Sequence, residues 1–135
     1  MRFFIFLIAL VFSVNINAQS NYKGTDYPKT AKEISAYLSL DDKQKNDLER
    51  IIERKESQLE EIAALKNTDL DTYIEKRKNI RDGFNRSLGL FLIEEQNKEY
   101  RSYLGRIRTS DYLIKEQLTK EGKSEQEIAL AIAEN

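Results

Sequence analysis

Cysteine and histidine are both absent from this sequence, and methionine and proline occur once each. The first absence removes disulfides, the most reactive side-chain nucleophile and lipid attachment at a cysteine. The second removes the commonest general base and the commonest metal ligand. The single methionine is Met1, so no thioether set for a soft metal exists, and the metal expectation is none. The five glycines (Gly24, Gly83, Gly89, Gly105 and Gly122) stand alone, which excludes a glycine-rich phosphate loop and ATP-driven work. Lysine plus arginine (22) nearly balance aspartate plus glutamate (23), so the basic excess that nucleic-acid binding requires is missing. Carboxylate pairs such as Glu60–Glu61 and Glu94–Glu95 are sequence neighbours and diverge on a helix. No enzyme, no catalytic residue and no cofactor is expected.

What is present begins with a long apolar start. MRFFIFLIALVFSVNINAQS carries one positive charge at Arg2, an apolar stretch from Phe3 to Val14 and a small residue at Ala18. That is the layout of a cleavable secretory signal over residues 1–18, with cleavage expected after Ala18. The apolar stretch is about 12 residues against the roughly 20 that span a bilayer, so no stable membrane insertion is expected after cleavage. A periplasmic location follows as the expectation. Cleavage removes Arg2 alone from the charge count, leaving the mature chain slightly acidic.

Gln19 to Lys29 is polar, contains the only proline, Pro28, and reads as a flexible leader. From Thr30 to Asn135 the chain reads as a single helical domain, with a C-terminal extension from about residue 110. No segment alternates with a period of two, so the fold class is all-α, built from antiparallel helical hairpins. A short helix is expected over Thr30–Leu38 with Thr30 as its cap. A long one follows over Asp42–Lys66, with Leu48, Ile51, Ile52, Leu59, Ile62 and Ala63 on a stripe that Lys55 interrupts. KNTDLD marks a turn, with Asn67 or Thr68 expected to cap the next helix. That helix carries Leu70, Tyr73, Ile74, Ile80, Phe84, Leu88 and Phe91 on its apolar side. A fourth starts near Glu94 with Tyr100, Tyr103, Leu104 and Ile107, and its end, at Thr109–Asp111 or at Lys120, stays open. Gly122 ends that region, and Ser124 with Glu127 forms a capping box for a last helix.

One spacing occurs twice. In LDDKQ, from Leu40, Asp41 is placed to cap a helix and Gln44 to reach back to the Asp41 amide, with Leu40 packing in front. In LIEEQ, from Leu92 to Gln96, Ile93 has no acceptor for the same task. With the signal peptide and the charged helices that follow each motif, the chain from Thr30 to Ile107 resembles the Spy/CpxP-type periplasmic proteins. That family carries two copies of Leu-Thr-x-x-Gln. The resemblance implies a curved helical cradle, often dimeric, that binds unfolded proteins without ATP, or a stress-signalling accessory on the same scaffold. The family's best-known chaperones have a markedly basic binding surface, whereas this chain is slightly acidic.

An apolar face with basic margins suits such a role, because charges attract a client at long range and apolar area holds it. The candidate client-binding residues are Ile80, Phe84, Leu88, Phe91, Tyr100, Tyr103 and Leu104, flanked by Arg77, Arg81 and Arg101. The competing reading of each apolar residue is plain core. The expected function is an ATP-independent periplasmic chaperone-like protein that binds unfolded or partly folded proteins. Its rivals are an envelope-stress adaptor for one partner, such as a sensor domain, and a purely structural secreted helical protein. A homodimer is consistent with so thin a chain.

Overall fold

The computed structural model describes residues 26–135, so the expected signal peptide and most of the expected leader lie outside the described residues. All regular structure among the described residues is helical: α1 (Ala31–Tyr37), α2 (Asp42–Ile62), α3 (Leu65–Thr68), α4 (Leu70–Leu90), a 3-10 turn (Glu94–Gln96), α5 (Asn97–Lys120) and α6 (Glu125–Glu134). Successive long helices run antiparallel. α2 packs against α4, α6 lies against both α4 and α5, and α1 folds onto α2.

Local chemistry sets most of the boundaries. Thr30 caps α1 reciprocally with Glu33, and Ser124 caps α6 reciprocally with Glu127. Backbone amide donors hold both exposed carboxylates below their ordinary range. α1 and α5 end in the same left-handed hook. Leu40 N donates to Ser35 O (3.0 Å) and Ser39 N to Ala36 O (3.3 Å); Lys123 N donates to Leu118 O (3.0 Å) and Gly122 N to Thr119 O (3.1 Å). Gly122 adopts φ 72° freely, whereas Ser39 holds φ 52° with a side chain.

Two boundaries differ from expectation, and a third, open in the sequence, is fixed by the structure. α2 stops at Ile62 because the chain tightens there into i→i+3 bonds, Ala63 N to Glu60 O and Lys66 N to Ala63 O, before the single turn of α3. Asp69, not Asn67 or Thr68, caps α4. Its carboxylate accepts from Thr72 N (3.2 Å) and Thr72 Oγ1 (2.7 Å), while the Thr68 hydroxyl donates backward to Ala64 O. α5 runs unbroken through Thr109–Asp111. The Thr109 hydroxyl donates to Gly105 O, buried Ser110 accepts from Asn135 Nδ2 (3.0 Å), and Asp111 pairs with Arg81 (3.0 Å). Ser110 and Asp111, which disfavour a helix interior, are used there for tertiary contacts.

The main core gathers Ile34, Leu38, Leu40, Leu48, Phe84, Leu88, Tyr103 and Ile107. Full burial of a side chain such as Leu88 is worth about 1.5–3 kcal/mol. Tyr27, inside the segment expected to be a flexible leader, joins that core. Its ring meets Tyr103 edge-on at 6.2 Å and its hydroxyl donates to Asn135 O (2.9 Å). Ile62, Tyr73, Ile114, Leu118 and Ala133 are also buried, outside that cluster.

Gly89 marks a close approach. A Cβ there would sit 2.7 Å from the Tyr100 hydroxyl, which donates to Asn85 O at 2.7 Å; Gly83 and Gly105 face open space. Gly83→Ala therefore gains helix propensity, about 1 kcal/mol, with no clash. Gly89→Ala must displace the Tyr100 ring, an overpacking cost of about 1–3 kcal/mol that outweighs the same gain. Thermal denaturation is expected to show Gly83→Ala raising Tm and Gly89→Ala lowering it. Equal, positive shifts for both would mean that Tyr100 does not pack across α4.

Candidate functional site

The two repeated motifs meet. Gln44, in the first turn of α2, and Gln96, at the entry to α5, are both buried and exchange two hydrogen bonds. Gln44 Nε2 donates to Gln96 Oε1 (2.8 Å), and Gln96 Nε2 donates to Gln44 Oε1 (2.9 Å). Each amide oxygen also accepts from the backbone of its own corner, Asp41 N (3.1 Å) for Gln44 and Ile93 N (3.0 Å) for Gln96. Each amide nitrogen reaches the end of a helix in the other half of the chain. Gln44 donates to Phe91 O (3.1 Å), and Gln96 to Leu38 O (3.1 Å) and Ser39 O (3.2 Å). Every donor and acceptor of two buried primary amides is thereby used.

Asp41 completes a reciprocal box, its Oδ1 accepting from Gln44 N at 2.8 Å. Ile93 has no acceptor to offer, and its corner opens as the 3-10 turn Glu94–Gln96 rather than as an α-turn. Leu40 is buried in front of the first corner, and Leu92 is half-buried in front of the second.

The face proposed for clients is corrected by the packing. Phe84, Leu88 and Tyr103 are core residues, and burial holds the Tyr103 phenol well above its ordinary pKa. Phe91, Tyr100 and Leu104 are half-buried at the margins of that same core, and Ile80 is half-buried. Arg77 and Arg81 are not a free rim. Arg77 Nε donates to Ala133 O (3.1 Å), and Arg81 donates to Ile132 O (2.9 Å) while pairing with Asp111. They satisfy carbonyls at the negative end of α6. Of the three arginines, Arg101 alone is exposed. Nothing local in the sequence announces that these arginines serve a helix some fifty residues away. The only hint is that they share a helix face with Tyr73 and Phe84, at three- and four-residue spacing.

What the described residues leave exposed is narrower: Leu90 at 81%, Ile93 at 56% and Tyr112 at 63% of full accessibility. Leu90 and Ile93 bracket the α4–α5 corner that the glutamine pair holds. Among the described residues no cluster of three carboxylates is placed for a metal ion, and no helix is long and apolar enough to cross a membrane. Comparison with protein-family models, with curated proteins and with solved structures finds no match.

Gln96→Ala would strip Ile93 N, Leu38 O, Ser39 O and both polar ends of Gln44 of their partner. An unsatisfied buried polar group costs about 1–3 kcal/mol, so a loss at the upper end of that range is expected in chemical denaturation. Gln44→Ala should cost a similar amount. A double-mutant cycle between them should return a coupling of about 1 kcal/mol or more; strict additivity would show that the two corners do not communicate.

Proposed function

We propose that this chain is a Spy/CpxP-like helical protein of the bacterial periplasm that binds another polypeptide without nucleotide, and that it serves one partner rather than many unfolded clients. The observation that carries the choice is the burial of Phe84, Leu88 and Tyr103 together with the engagement of Arg77 and Arg81 by α6. A general holder of unfolded chains needs broad apolar area open to solvent. Here the large apolar side chains that remain open at one place are Leu90 and Ile93, at a corner. A small rigid patch suits a partner of defined shape. The exported location and the family relation rest on the signal-like start and the two Leu-x-x-x-Gln motifs.

The general-holder reading keeps one specific observation in its favour. α6 is the most apolar of the helices, and Ile128, Leu130 and Ile132 are only half-buried against α4 and α5. Its removal would free Arg77 and Arg81, the basic part of the expected face, whereas Phe84, Leu88 and Tyr103 share one core with Ile34 of α1 and Leu48 of α2.

Light scattering and crosslinking separate the two readings. A molar excess of the folded chain is expected to leave the aggregation of several unrelated denatured proteins unchanged; suppression of them all would overturn the single-partner reading. A photo-crosslinker at position 93 is expected to yield one dominant adduct in an envelope extract. Leu90→Asp should abolish that adduct while leaving the unfolding free energy within about 0.5 kcal/mol of the parent, as for other surface changes. A ladder of many adducts, or none, would count against it.

A further inference from the structure

A cavity of about 90 Å³ opens between α2, α4, α5 and the last residues of the chain. Its floor is apolar, with Leu59, Ile80 and Phe84, and its walls carry four cations, Lys29, Lys55, Arg77 and Arg81. We propose that this cavity binds a small amphiphilic carboxylate, its carboxyl group beside Lys55 and Arg81 and its short apolar body on Phe84 and Ile80.

Three observations converge on that ligand. First, positive charge outweighs its compensation. Asp111 pairs with Arg81, but the Lys55 ammonium has no hydrogen bond or ion pair among the described residues and rests over the Phe84 ring at 4.8 Å. Burial is the main force lowering the Lys55 pKa; Arg77 adds to it, Glu56 opposes it, and Arg81 and Lys29 add again. A bound anion would relieve both the burial penalty and the repulsion. Secondly, Arg81 Nε is buried without an acceptor among the described residues, an unpaired N–H donor on a residue that lines the cavity. Thirdly, the floor would not be matched by a bare inorganic anion. At about 30 Å³ for one water-sized occupant, the enclosed space takes about three such groups, a carboxyl group and the head of a short alkyl chain.

Lys55 is also the residue that interrupts the apolar stripe of α2. A leucine or methionine there would continue the stripe and remove a desolvated charge, so the lysine costs stability that a purely structural position would not require.

The folded chain titrated with hexanoate, 1-hexanol and inorganic phosphate, followed by backbone amide chemical shifts, tests the assignment. Hexanoate is expected to saturate, with shifts confined to residues around Lys55, Arg81 and Phe84, and to bind at least tenfold more tightly than hexanol or phosphate. Lys55→Met should weaken hexanoate at least tenfold while holding or raising Tm. Lys55→Gln provides the same comparison if the methionine variant does not fold. No saturable shift, equal binding of hexanol or of phosphate, or undiminished hexanoate binding by Lys55→Met or Lys55→Gln would overturn the proposal.

Discussion

Two buried primary amides hold this molecule's corners together. The Gln44–Gln96 pair joins the α1–α2 turn to the α4–α5 turn, and each glutamine does so while serving its own corner as a backbone cap. In a low-dielectric setting such a network is worth having only when complete, since each unpaired group costs more than a formed bond returns. It is complete here, which fixes the register of the two hairpins to within a hydrogen bond. The apolar contacts around it, Leu38, Leu40, Leu48 and Leu88, exclude water but have no comparable directionality. The core supplies stability, and the amide pair supplies geometry.

That division explains what could be read from the residues and what could not. The box at Asp41–Gln44 was legible because capping chemistry is local: an acceptor, then an amide three residues on. Thr30 as a cap and Ser124 with Glu127 were legible for the same reason, and so was the helical stripe of α4. The pairing of Gln44 with Gln96 was not. A glutamine that caps its own corner uses one oxygen lone pair, and nothing in LDDKQ tells where its two N–H donors point. The cap of α4 was misplaced because Thr68 and Asp69 compete for one role, and the hydroxyl turned back to its own helix. The polar run at Thr109–Asp111 leaves the end of α5 open in the sequence because serine and aspartate disfavour helix interiors; Ser110 and Asp111 are the side chains that receive Asn135 and Arg81.

The candidate surface was the least legible part. Phe84, Leu88 and Tyr103 at helical spacing look the same whether they face a partner or a core. Arginines flanking such a stripe look like a capture rim whether they face solvent or the end of another helix. Phe84, Leu88 and Tyr103 share one core with Ile34 of α1 and Leu48 of α2. For the arginines the difference lies in α6, whose docked position depends on contacts across the fold, Arg77 to Ala133 O and Arg81 to Ile132 O. A helix of ten residues is marginal alone and takes its stability from such docking. Guanidinium groups at its carbonyl end supply charge and donors together, which an exposed rim would not need.

The exposed pair at the α4–α5 corner gains its meaning from the amides behind it. Leu90 ends α4 and Ile93 precedes the 3-10 turn, and between them Phe91 O accepts from Gln44 while the Ile93 amide donates to Gln96. The backbone that presents these two side chains is therefore held on both sides by the network that fixes the fold. A large aliphatic residue open to water on a mobile loop would pay ordering entropy on every encounter; on a pinned corner that cost is met during folding. The second motif lacks a capping acceptor because isoleucine stands where the first has aspartate. The same substitution places an apolar side chain outward at the one turn whose geometry the glutamine pair already guarantees. Loss of the cap and gain of a presented isoleucine are a single change, and the cross-chain amide bond is what lets the corner tolerate it.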